Sequence, residues 1–102
     1  MKQLEPQDLS NIIELAKSND KSFYLKFSEL YPKFNQQLLA LNQQLTPRDL
    51  EYCALIKLNF DTKEIAQIKN MSIGSVESRK YRIRKKLDIG TQENMYVWFI
   101  NL

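Results

Sequence analysis

The chain contains no histidine, which removes the commonest general base and metal ligand from its 102 residues. It also has no Gly-rich phosphate loop, no metal-ligand cluster and no nucleophile paired with a base. An enzyme is therefore the class it supports least, and we expect neither a cofactor nor a small-molecule substrate. Cysteine occurs once, at Cys53, so an internal disulfide or a Cys-rich zinc site is excluded. Set in an apolar run, Cys53 reads as a small buried residue. Glycine is scarce (Gly74 and Gly90), as is proline (Pro6, Pro32 and Pro47). That scarcity argues against strands joined by hairpins and for helices joined by short turns. No apolar stretch approaches the length of a membrane span, and Met1-Lys2-Gln3 does not start a signal peptide. The expectation is a cytoplasmic protein without a membrane partner.

What is present fits one small helical module. The chain is 43% hydrophobic and 26% charged, enough for a core but not a large one. Pro6 opens a first helix with Leu9, Ile12, Ile13 and Ala16 on one face. Ser18-Asn19-Asp20 ends it, and Asp20 is placed to cap the next. Phe23, Phe27 and Leu30 line that helix until Pro32 interrupts it, and a third carries Phe34, Leu38 and Leu41. An aromatic stripe at such spacing is core far more often than ligand pocket. Thr46-Pro47-Arg48-Asp49 is a strong helix start: threonine caps, proline takes the first turn, and aspartate favours the N-terminal dipole. Leu50, Cys53, Ala54, Ile56, Leu58 and Phe60 follow, so this helix should be the best buried.

Residues 62–87 carry the chemistry. Asp61 or Thr62 can cap a helix, with Glu64 at capping-box spacing from Asp61. Ile65, Ala66 and Ile68 share a face, and Asn70 suits a left-handed C-terminus. Ser72 can cap a second helix along which Val76, Ile83 and Leu87 recur. Small Ala66, turn-forming Asn70 and apolar Val76 stand at helix–turn–helix spacing. The opposite face is cationic: Arg79, Lys80, Arg82, Arg84, Lys85 and Lys86 are six bases within eight residues. Such a helix fits the DNA major groove. A charge run alone reads as a solvated basic helix; the spacing just before it reverses that preference.

Charge is divided to match. Residues 1–61 hold seven bases and eight acids; residues 62–102 hold eight bases and four acids. Beyond Asp88-Ile89-Gly90, Thr91 can cap a last short helix crowded with Met95, Tyr96, Trp98, Phe99 and Ile100. So much apolar surface needs cover. Either residues 1–22 supply it, or Tyr96, Trp98, Phe99 and Ile100 form the interface of a homodimer.

Residues 45–89 resemble the LuxR/GerE-type helix–turn–helix domain of bacterial transcription regulators. The matching features are Leu45-Thr46-Pro47-Arg48-Asp49, Lys63-Glu64-Ile65-Ala66, Ser72, Val76 and Lys86-Leu87. The stretches Cys53-Ala54-Leu55-Ile56-Lys57-Leu58 and Tyr81-Arg82-Ile83-Arg84-Lys85-Lys86 resemble a subgroup of such domains. Those sit at the C-terminus of long sensory proteins built from tetratricopeptide or propeller repeats. A Phe/Pro-rich segment like residues 23–34 commonly precedes them; residues 1–22 match nothing recognisable.

The resemblance implies an all-α fold: a helical bundle with a four-helix, winged-helix-like domain over residues 45–102, preceded by two or three helices in residues 1–44. It implies a supporting helix near 47–58, a scaffold helix near 62–69, a recognition helix near 73–87 and a closing helix near 92–101. It places Glu77, Ser78 and Tyr81 at base edges of double-stranded DNA. Lys63, Ser75, Arg79, Lys80, Arg82, Lys85 and Lys86 would lie on phosphates, which position without specifying. RNA polymerase is a further candidate partner.

Three residues depart from the family pattern. Asn59 replaces a glycine, Arg79 a histidine, and Lys69 an apolar residue whose place its aliphatic stem could take while the ammonium snorkels out. Two rivals stand beside this reading. One is a sigma-factor-like domain, and the other a degenerate helix–turn–helix module acting through protein–protein contacts.

Overall fold

The computed structural model describes residues 5–102 and, within them, seven helices and no strand. The reading of Met1-Lys2-Gln3 lies outside that range. The all-helical expectation holds, and local capping chemistry accounts for most of the boundaries. Helix α1 (Pro6–Lys17) starts with proline in its first turn and buries Ile12 and Ala16. Asn19 then turns left-handed at φ 53°. Asp20 does not cap the next helix as expected: its Oδ1 accepts from the Ser22 N–H at 2.8 Å and hydroxyl at 2.7 Å. Ser22 itself is the N-cap of α2 (Phe23–Leu30) and forms no side-chain capping bond.

Helices α2 and α3 (Phe34–Leu41) are separated around Pro32 and supply an aromatic layer. The Phe27 ring stacks on Tyr31 at 4.7 Å and meets Phe34 edge-on at 5.1 Å. Phe34 in turn lies 6.1 Å from Phe99, near the other end of the chain. Leu41 departs from the expected stripe. It is 55% exposed, because α3 ends there and Asn42 swings to extended backbone.

Helix α4 (Pro47–Lys57) is the central beam, packed against α2 and two later helices. Thr46 and Asp49 form a reciprocal capping box, both bonds 3.0 Å; losing such a cap costs about 0.5–2 kcal/mol. Leu50, Tyr52, Cys53, Ala54, Leu55 and Ile56 are all buried, so this helix is covered nearly all round. Burial pushes the Cys53 thiol well above its ordinary pKa, which makes it a packing residue and not a nucleophile.

Asn59, at φ 72°, makes the left-handed turn that leads to α5 (Thr62–Lys69). Helix α6 (Ile73–Lys86) and α7 (Met95–Ile100) complete the chain. Asn94, not Thr91, caps α7, accepting from the N–H groups of Tyr96 and Val97. The main cover for α7 among the described residues comes from α4 and from Phe34 of α3. Lys57 seals its last turn by donating to the Phe99 carbonyl at 2.9 Å. Among the described residues, no helix is long and apolar enough to cross a membrane.

Candidate nucleic-acid interface

The site rests on how α5 fixes α6. Asp61 caps α5 in a second capping box, accepting from Glu64 N–H at 2.8 Å while Glu64 accepts from Asp61 N–H at 2.9 Å. At the far end Asn70 is left-handed (φ 53°, ψ 51°), and Met71 N–H closes on the Ala66 carbonyl at 2.9 Å. This leaves Ser72 to cap α6 by accepting from Ser75 N–H at 3.0 Å. Ala66 and Val76 are buried where the two helices cross. Lys69 departs from the expectation that its ammonium runs out to solvent, because it finds partners inside the chain. Its ammonium pairs with Glu51 of α4 and donates to Asn19 Oδ1 at 3.0 Å, which binds the α1–α2 turn to α5.

Helix α6 has two faces. Val76, Ile83 and Leu87 are buried against the core. Gly74, Glu77, Ser78, Tyr81, Arg82 and Lys85 are all exposed and, at helical spacing, form one outward stripe. A Cβ built on Gly74 would meet nothing within 4 Å, so the head of the stripe is open. Glu77, Ser78 and Tyr81, the expected base-reading residues, therefore stand together. Tyr81 is 55% exposed, and the Lys85 ammonium sits 5.0 Å over its ring. Ser75 is exposed near the helix start, and Lys63 is exposed in the first turn of α5.

The remaining bases of the run turn back onto the protein. Asp49, only 4% exposed, accepts from Lys86 Nζ at 2.7 Å and faces Arg79 Nη1 at 3.5 Å. Burial works to raise the Asp49 pKa, but the bonds from Lys86 and Thr46 outweigh it and hold the carboxyl below its ordinary value. The Arg79 guanidinium also lies 5.0 Å over the Tyr52 ring. Lys80 Nζ donates to Thr62 Oγ1 at 2.8 Å and to the Tyr96 hydroxyl at 3.2 Å, and burial lowers its pKa. Arg84 Nη1 donates to the carbonyls of Gly90 at 2.6 Å and Glu93 at 3.0 Å. Three of the seven expected phosphate residues, Arg79, Lys80 and Lys86, thus have partners inside the chain. The sequence did not reveal Asp49 as the hub for Arg79 and Lys86, since these partners lie 30 and 37 residues away.

The four residues considered for a homodimer separate by depth. Phe99 is fully buried; Tyr96 and Trp98 are half-buried; Ile100 is 63% exposed. Trp98 packs edge-on against Phe99 at 4.9 Å and, with Leu41, Val97 and Leu102, lines a shallow apolar groove.

The described residues thus form an all-helical unit in which a left-handed turn at Asn70 precedes one outward, basic helix. Over 56 residues the chain is 30% identical to the tetrathionate response regulatory protein of Salmonella typhimurium. That alignment takes in 55% of the chain and 27% of the relative, so the chain spans about a quarter of the length of the curated protein it matches. No family model matches the chain, and no solved structure does.

Proposed function

We propose that the chain is a transcriptional regulator module of LuxR/GerE type that binds double-stranded DNA with α6 in the major groove. The observation that carries this is the exposed stripe of α6, bearing Glu77, Ser78, Tyr81, Arg82 and Lys85 on one face. Such a helix matches the groove in width, and its polar side chains match base edges. Similarity to a response regulatory protein supports the same class. Glu77 accepts from cytosine N4, Ser78 tolerates several bases, and Tyr81 packs on a thymine methyl or reaches phosphate. Lys63, Ser75, Arg82 and Lys85 contact phosphate, whereas Arg79 and Lys86 orient the helix through Asp49. Residues 45–102 form the DNA-binding unit and residues 1–44 a supporting segment, whose described part, from residue 5 on, packs onto it. The setting is the bacterial cytoplasm, with a homodimer through the α7 groove as the form that reads a full site.

The test is a salt titration of affinity for duplex DNA chosen by selection from random sequence. Log affinity falls by about 0.9 per neutralised phosphate against log salt. Changing Arg82 and Lys85 together to Ala lowers that slope by about two units and weakens all sequences alike. A salt-insensitive complex, as expected for a module that binds only proteins, overturns the proposal.

A further inference from the structure

Lys80 lies on the half-buried side of α6, in helical register with Val76, Ile83 and Leu87. Among the described residues no carboxylate pairs with its ammonium directly, and Asp61 and Glu77 act on it only at longer range. Instead it meets two neutral oxygens, Thr62 Oγ1 at 2.8 Å and the Tyr96 phenol at 3.2 Å, and lies 4.7 Å from the Tyr96 ring centre. The phenol passes its own proton on, donating to the Phe60 carbonyl at 2.6 Å. One knot thereby joins α6, the first residue of α5, the turn before it, and α7.

Each anchor of the knot is itself fixed. The Asp61–Glu64 capping box sets Thr62, and the Asn94 cap and the Lys57–Phe99 bond set α7. An ammonium half-withdrawn from water onto neutral acceptors is a poor source of stability. An aliphatic side chain would fill the same space. What the ammonium adds is direction, because it accepts only arrangements of α6 that keep both oxygens in reach.

We infer that Lys80 and Tyr96 are positioning residues: together with Thr62 they set the rotation of α6 about its own axis, and so the presentation of Glu77, Ser78 and Tyr81. This rests on the DNA reading above and removes Lys80 from the set of phosphate contacts. Direct readout tolerates misplacement of only about 0.5 Å, so a small rotation degrades discrimination before it degrades attraction.

The experiment compares wild type with Lys80→Met, Tyr96→Phe and Thr62→Val. Each variant preserves bulk while removing a donor or acceptor, and thermal unfolding confirms that each is folded. For each protein, affinity is measured for the preferred duplex and for a scrambled one across a salt series. Lys80→Met is expected to leave the salt slope unchanged and to lower the preferred-to-scrambled ratio about tenfold. Tyr96→Phe and Thr62→Val lower the same ratio, and adding Tyr96→Phe to Lys80→Met has little further effect, since both act through one knot. A slope reduced by about 0.9 in Lys80→Met marks a phosphate contact and overturns the inference. An unchanged ratio in all three folded variants overturns it as well. Failure of the DNA reading is distinct: wild type then shows no salt-dependent binding, before any variant is compared.

Discussion

The two faces of α6 carry the same kinds of residue and put them to opposite uses. On the outer face Arg82 and Lys85 stand in solvent, with Lys85 lying over Tyr81. On the inner side and flanks Arg79, Lys80, Arg84 and Lys86 each donate to another part of the chain. Of six bases in sequence, two stand exposed, and the other four are bonded to other parts of the chain. Charge counted along a chain is therefore a poor measure of charge presented at a surface. The energetic consequences differ too. Exposed charges gain little from the fold, whereas a buried carboxylate with two cationic partners is strongly destabilised when either side of the arrangement is removed.

The sharpest way to break this comparison is at Asp49. Asp49→Ala removes the bonds from Lys86 and Thr46, and because Lys86 keeps access to water the expected cost is about 1.5–3 kcal/mol. Arg82→Ala on the outer face changes stability by no more than about 0.5 kcal/mol. Urea unfolding of both variants checks the contrast; equal losses would erase it. The pH dependence follows from the same carboxyl. Its folded pKa is held below the ordinary value, so its contribution is complete above the unfolded pKa of about 3.9 and is lost as pH falls through the folded one. Stability should thus decline below about pH 4, and Asp49→Asn should flatten that part of the decline.

A middle-sized effect belongs to the outer face alone. If Glu77 reads a base, Glu77→Ala changes discrimination at one base pair by about 1–3 kcal/mol. Non-specific affinity stays level or rises, because an acid has gone from beside the phosphates. Selection of bound sequences from a random pool measures this directly. Identical preferences for wild type and variant would leave Glu77 as a solvent-facing residue and the outer face without a reader.

Which of these features could be foreseen depended on distance along the chain. The caps at Thr46, Asp61 and Ser72 and the left-handed turn at Asn70 were legible because each is settled within four residues. Thr91 and Asn94 both suit a cap, and only the structure shows that the chain needs three more residues before α7 begins. Leu41 has the right spacing for the core, yet the chain leaves the helix there and the side chain faces solvent. Glu77, Ser78 and Tyr81 were expected from the family resemblance; spacing alone put all six bases on the outer face, from which Arg79, Lys80, Arg84 and Lys86 turn back. Asp49 and the Lys80–Tyr96 knot could not be foreseen, since their partners come from elements 16 to 37 residues away.

Helix α7 repeats the contrast at small scale, and its outer face gives the smallest expected effect. Phe99 lies wholly in the core between Phe34 and Trp98, while Ile100 beside it is 63% exposed. A change at Phe99 would report on folding and say nothing about assembly. Ile100→Glu touches only the exposed side, so the stability of the single chain should move by no more than about 0.5 kcal/mol. If two copies meet through this face, each brings the other a recognition helix about one DNA turn away, roughly 34 Å. The variant should then sediment as a monomer, bind a half-site as wild type does, and lose cooperativity on a paired site. Sedimentation velocity with and without duplex DNA decides the matter. A wild type that stays monomeric at high micromolar concentration in both conditions ends the dimer proposal. The exposed side of α7 would then be ordinary surface, and reading of a few base pairs by one helix would be all this unit supplies.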